Sequence, residues 1–182
     1  MIGQAAPVTI DSHEFRAAMS RFATGVAVVT TIDGSKREGL TINSSTSLSL
    51  DPPLVLWSLR KNAPSLSTFQ RAERFAINVL CADRLDLSQH FAKPQSDKFE
   101  NVEFSESELG NAVLTGNLAL FECRKSQTVD GGDHTMFIGE VLRVEYRDDV
   151  PYIQRRPLLH TGAHLARSQT SRSQQVHRGP PS

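Results

Sequence analysis

From Gly25 to Asp149 the chain is a succession of strand signals, and nothing between them reads as the long crossover helix that a parallel sheet requires. GVAVVTTI is an apolar, β-branched run of a buried strand, followed by a turn at DGSKREG. LTINSSTSLSL (residues 40–50) alternates and is rich in Ser and Thr, Asp51-Pro52-Pro53 breaks it, and LVLWSL, RFAINVLC, NLALFECRKSQTVD and TMFIGEVLRVEYRDD read as further strands. Three short helical patterns flank them. DSHEFRAAMSRFAT places Phe15, Ala18, Met19 and Phe22 on one face, with Asp11 or Ser12 as cap and Gly25 ending it. Residues 64–72 form a short helix with Pro64 in its first turn, and ADRLDLSQHFAK an amphipathic one. Residues 97–116 read as loop with a short edge strand. Six or more strands without a strand–helix–strand repeat argue against a doubly wound sheet. They favour a mainly β fold, an antiparallel β-barrel with peripheral helices.

A chain of 182 residues has the length of one domain with a substantial core. The pattern divides it into a flexible N-terminus (1–10), the domain (11–166) and a polar, disordered tail (167–182). Lys and Arg balance Asp and Glu at 20 each, so no basic excess points to nucleic acid or to a membrane surface. The longest apolar runs, about five residues, are far too short to span a bilayer. The first residues, MIGQAAPVTIDSHEF, lack a basic segment leading into an apolar one, so no secretory leader is expected. Cys81 and Cys123 lie far apart in predicted strands and read as reduced core residues of a cytoplasmic protein.

Four stretches could carry chemistry. Within 40–53, Thr41, Asn43, Ser45 and Ser47 would share one strand face and Ile42, Ser44, Thr46 and Leu48 the other. These side chains suit a heterocycle rich in donors and acceptors, or simply a polar edge strand. Arg60, Lys61, Asn62 and Ser65 precede or open a helix, an arrangement suited to a phosphate or to a capped, solvated surface. His90, Lys93 and Lys98 interleave with Phe91 and Phe99. They could border a ring system and its phosphate, or form a helix end with both rings in the core. His134, in GGDHTMFIGEVL, puts an imidazole at the mouth of a strand. The one helical-looking histidine pair, His160 and His164, has no Glu after the first His and no Cys cluster nearby, so no metal site is expected. No P-loop, dinucleotide fingerprint or nucleophile elbow is present, so an enzyme built on this chain would rely on a cofactor for the hard step.

Taken in order, FRAAMSRFATGVAVVTT, LTINSSTSLSLDPPLVLWSLRKNAPS, RFAINVLCADRLDLSQHFAKPQSDKF, GGDHTMFIGEVL and RRPLLH resemble the short-chain flavin reductases, the reductase partners of two-component flavin-dependent monooxygenases. The resemblance runs from about Phe15 to Leu165. It implies a split, FMN-binding β-barrel, a homodimer, FMN or FAD as cofactor, NADH or NADPH as hydride donor, and a separate monooxygenase that takes the reduced flavin. It further implies that Thr41, Asn43, Ser44, Ser45, Thr46 and Ser47 contact flavin. Ser58, Leu59, Arg60, Asn62 and Ser65 would follow its ribityl chain, with Lys61 close by. His90, Phe91 and Lys98 would lie near the ring or phosphate, and His134 near the nicotinamide. The stretch after Pro157-Leu158-Leu159 departs from the family. His160-Thr161-Gly162-Ala163-His164-Leu165 lacks the usual aromatics and Arg, leaving His160 or His164 to take the place of an aromatic plate.

Such a protein must hold two rings face to face, about 3–3.5 Å apart, and stabilise a reduced flavin anion with hydroxyl and N–H donors. In that scheme His134 positions the nicotinamide first and acts in acid–base chemistry second. The departure at 160–165 leaves a second reading, a flavin-binding carrier or sensor without reductase activity. The pyridoxamine-phosphate oxidases and haem-binding proteins of the same barrel type match GGDH and SLDPP less well.

Overall fold

The computed structural model describes residues 9–154. In chain order the elements are α1 (Ser12–Met19), β1 (Thr24–Gly25), β2 (Ala27–Asp33), β3 (Lys36–Ile42), β4 (Thr46–Leu50), β5 (Pro53–Arg60), α2 (Leu66–Arg71) and β6 (Arg74–Val79). Then follow α3 (Leu85–Ala92), β7 (Phe104–Glu106), β8 (Ala112–Leu114), β9 (Ala119–Gly131), β10 (His134–Tyr146) and β11 (Ile153–Gln154). Seven strands form one sheet in the order β3-β2-β6-β9-β10-β5-β4, every neighbouring pair antiparallel. The mainly β, antiparallel reading of the sequence holds.

The topology forces this sheet to curl. β3 and β4 are its two edges, yet only residues 43–45 separate them in the chain. Laid flat, seven strands would hold the edges about 29 Å apart. The four steps from Ile42 to Thr46 reach about 14 Å. The edges must therefore approach each other, which makes a barrel open along one seam, with Asn43, Ser44 and Ser45 crossing it. This corrects the sequence reading of 40–50 as a single strand: the faces assigned to Thr41, Asn43, Ser45 and Ser47 do not exist as one surface. Ser44 staples the seam, its Oγ accepting from Ser58 N at 3.1 Å and donating to Ser58 O at 3.2 Å.

Inside the curl, Trp57 is fully buried, stacked on Phe137 at 4.5 Å between ring centroids and meeting Phe69 and Phe75 edge-on. Each such aromatic pair contributes about 0.5–1.5 kcal/mol beyond its burial. A second cluster, with Val28, Leu80, Leu87, Phe91, Phe99 and Leu114, lies beneath α3 and the β7–β8 hairpin. Asn78 joins it to the sheet. Its Nδ2 donates to Val28 O and Thr30 Oγ1, and its Oδ1 accepts from Leu114 N and Asn117 Nδ2.

Four further differences from the sequence reading have local causes. Strand β3 begins at Lys36 because the β2–β3 ladder runs to Asp33 opposite Lys36, so the turn is only Gly34-Ser35. The 97–116 segment holds a hairpin of two short strands where one was expected, anchored when Ser107 Oγ and Asn111 Nδ2 donate to the fully buried Glu122. Helix α1 is capped by Asp11 Oδ1, which accepts from His13 N and Glu14 N, and it stops at Met19; Thr24 and Gly25 pair with β11. Its apolar face is left largely open by the described residues: Phe15, Met19 and Phe22 are 56%, 54% and 72% exposed. Cys123 lies in β9, but Cys81 stands just past β6 in an isolated bridge to Pro151. Both thiols are free and buried, and burial, helped by Glu122, pushes Cys123 up to about 12.

Candidate functional site

Two open hollows flank the stretch where β3 gives way to the seam. The first encloses about 550 Å³ and is lined by Asn43, Arg60, Asp133, His134 and the α1 residues Ser12, Phe15, Arg16 and Met19. The second encloses about 610 Å³ and is lined by Thr41, Ser65, Phe91 and Lys98, together with the start of β3 and the 94–98 loop. Both volumes lie in the range of small-molecule sites. Thr41 borders one hollow and Asn43, two residues on, the other.

His134 owes its place to the β9–β10 hairpin. Gly131 pairs with His134 across a two-residue turn whose first member, Gly132, has φ 78°, a conformation that favours glycine. His134 also stands opposite Arg60 of β5, so the ladder holds it between two strands. Its Nδ1–H donates to Asp133 Oδ1 at 2.7 Å. That bond assigns the tautomer and leaves Nε2 uncommitted. The same bond holds the Asp133 carboxyl below its ordinary range.

Lys98 is the centre of the second hollow. Its Nζ donates to Gly39 O at 2.9 Å and Phe91 O at 3.2 Å. Burial lowers its pKa from 10.5, against the opposing pull of Glu38. An ammonium has three donors, so one remains for a ligand. His90 fixes the loop that carries Lys98, its Nε2–H donating to Lys98 O at 2.8 Å. Gly39 is needed at this wall, since a Cβ there would stand 2.7 Å from Phe91 Cε1.

The structure divides the residues singled out from the sequence. Asn43, Arg60 and His134 line the first hollow, and Thr41, Ser65, Phe91 and Lys98 the second. Phe91 is fully buried, so it forms the hollow's floor with the core beneath it. Leu59 is also buried, within the Trp57 cluster, which leaves its backbone as the only group it can offer a ligand. Thr41 Oγ1 donates to Ser88 O, and Ser44 is occupied with Ser58, so both hydroxyls also serve the frame. Thr46, Ser47 and Asn62 are exposed, and Ser45 and Ser58 half-buried. Arg60, Lys61, Asn62 and Ser65 do not line a single hollow. Arg60 and Ser65 go to different hollows, and Lys61 Nζ pairs with Asp130 at 2.5 Å. His160 and His164 lie outside the described residues. Sequence reasoning missed Arg16 and Asp133 in the first hollow and Lys36 and Arg37 in the second. Asp133 was legible beside His134 in GGDH; Arg16 was not, because it arrives by tertiary packing.

Among the described residues no helix is long and apolar enough to cross a membrane. A family model described as the flavin reductase like domain matches residues 19–168. The chain is 44% identical over 141 residues to an FMN reductase (NADH), SmoA, of Agrobacterium fabrum, covering 78% of this chain and 80% of that protein. It is 37% identical over 150 residues to the reductase subunit HsaB of a flavin-dependent monooxygenase of Mycobacterium tuberculosis, covering 82% and 79%. A Streptomyces globisporus NADH:FAD oxidoreductase, solved with NAD and FAD fragments, superposes with a TM-score of 0.75 at 33% identity, covering 84% of this chain and 98% of that one. On these matches and on the split, curled sheet, the chain belongs to the flavin reductase-like family and is an enzyme of flavin reduction.

Proposed function

We propose that this chain moves hydride from NADH or NADPH to FMN or FAD, with the flavin phosphate in the Lys98 hollow and the nicotinamide in the His134 hollow. The observation that carries this reading is the pair of hollows on either side of one short stretch, Thr41 lining one and Asn43 the other. A flavin fits the residues present. Lys98 keeps one donor for a phosphate, and Ser65 lines the same wall. Asn43 lines one hollow and Thr41 the other, so a ring would lie beside the seam residues Asn43, Ser44 and Ser45, with Thr46 and Ser47 beyond.

When bound, the flavin supplies the hydride-accepting atom, and the protein need only orient and stabilise. Asn43 and the seam backbone offer donors to a ring that becomes anionic. His134, its Nδ1–H held by Asp133, presents Nε2 to the nicotinamide carboxamide, whose N–H can donate to it. The two strands flanking His134 fix its direction, which is why the imidazole stands at a strand mouth.

The reduced flavin then passes to a separate monooxygenase, as the HsaB relationship supports. The working unit is a homodimer, a reading supported by the uncovered apolar face of α1 beside the first hollow. Two free, buried thiols suit the cytoplasm. The test is nicotinamide oxidation by the purified protein with FMN, FAD, riboflavin or no flavin. Flavin-dependent turnover is expected; flavin binding with no oxidation of either nucleotide would replace this reading with that of a carrier or sensor.

A further inference from the structure

Two guanidinium groups line the His134 hollow, Arg60 at the end of β5 and Arg16 on α1. Among the described residues, neither stands within ion-pair distance of a carboxylate. Arg71, Arg84, Arg124, Arg143 and Arg147, by contrast, are each paired with an acid, and Arg37 lies 5.2 Å above the Phe104 ring. Asp133, the carboxylate lining the hollow, is engaged by His134. The hollow therefore presents two uncommitted guanidiniums against one committed acid. A planar guanidinium with paired N–H donors is matched to phosphate oxygens.

We infer that Arg16 binds the diphosphate of the nicotinamide nucleotide, which makes α1 part of the hydride donor's site. The inference rests on the placement of the nicotinamide at His134. Three phosphate groups compete for the assignment. The flavin phosphate has Lys98 in the other hollow. The 2′-phosphate that distinguishes NADPH sits on the adenosine half, separated from the nicotinamide by the diphosphate and both riboses. The diphosphate, one ribose away from the nicotinamide, is the group within reach of a cation sharing its hollow.

Equilibrium binding to the flavin-free protein tests this with NAD+ and with nicotinamide riboside, which lacks phosphate. Arg16 is exposed on a helix that has no buried residue, so Arg16→Gln is expected to fold. Loss of one charge-assisted contact weakens binding about tenfold or more. Arg16→Gln is expected to weaken NAD+ by that factor, to raise the KM of NADH and NADPH alike, and to leave nicotinamide riboside and FMN unchanged. Arg16→Lys should recover part of the loss. Unchanged NAD+ affinity, an equal loss for nicotinamide riboside, or a loss confined to FMN or to NADPH would overturn the assignment. His134→Ala separates the inference from its premise. If that variant weakens NAD+ while Arg16→Gln does not, the inference alone fails. If Arg16→Gln weakens NAD+ while His134→Ala does not, the diphosphate stands and the nicotinamide placement falls.

Discussion

The two hollows are built differently, although they flank the end of β3. The Lys98 hollow has a floor of core: Phe91 is completely buried, Gly39 is required by that ring, and the Lys98 ammonium is already held by two carbonyls. The His134 hollow is built from a hairpin turn and a helix none of whose residues is buried. One wall is paid for by folding itself; the other leaves apolar and cationic side chains without partners among the described residues. A preformed hollow suits a group that binds first and stays through the reaction, and a lightly built one suits a substrate that enters and leaves on every turnover.

The largest expected contrast is in stability. Phe91→Ala should cost about 3–5 kcal/mol in denaturant unfolding, because it empties a closed core. Phe15→Ala, on the wall of the other hollow, should stay within about 0.5 kcal/mol. Comparable losses would mean that α1 is as firmly docked as α3. Next comes a crossover in ligand binding. Lys98→Met should weaken FMN about tenfold or more and spare riboflavin, which has no phosphate. His134→Ala should raise the nicotinamide KM more than it weakens flavin binding. Fluorescence titration and steady-state kinetics measure both, and equal effects of each variant on both ligands would merge the two hollows into one.

A smaller effect follows from the lowered pKa of Lys98. The native state binds this proton less tightly than the unfolded chain does, so the cost of the charged ammonium is present at neutral pH and lifts as pH rises. Phosphate binding needs the charge and runs the other way. FMN affinity should therefore fall as pH climbs toward the lowered value, before an ordinary lysine would titrate. Riboflavin binding, and FMN binding by Lys98→Met, should lack that step. Last, Lys61→Ala removes an exposed pair with Asp130 and should change stability by no more than about 0.5 kcal/mol, with FMN affinity nearly unchanged. A large loss of FMN binding would show that Lys61 leaves Asp130 for the phosphate.

The mainly β class was legible because strand and turn signals are local: Asp51-Pro52-Pro53, the Gly132-Asp133 turn and the β-branched runs punctuate the chain wherever it goes. His134 was legible for the same reason, since hairpin chemistry fixes its place. What alternation alone could not reveal was the seam at residues 43–45. A period of two continues through the break, and only the pairing of distant strands shows that Thr41 and Ser47 belong to opposite edges of the sheet. The stretch around Arg60 is divided similarly. Neighbours in sequence were read as neighbours in space, whereas β5 ends between the hollows and sends Arg60 and Ser65 to different sides. Helix α1 shows a third limit: its amphipathic face was visible, but a pattern of apolar residues does not say what covers them.

The most direct test of two hollows serving two ligands is a crystal structure of the protein with FMN and NAD+ bound together. The FMN phosphate is expected on Lys98 Nζ and the nicotinamide against His134, with the rings meeting beside Asn43. A flavin phosphate in the His134 hollow, or a nicotinamide in the Lys98 hollow, would contradict that arrangement.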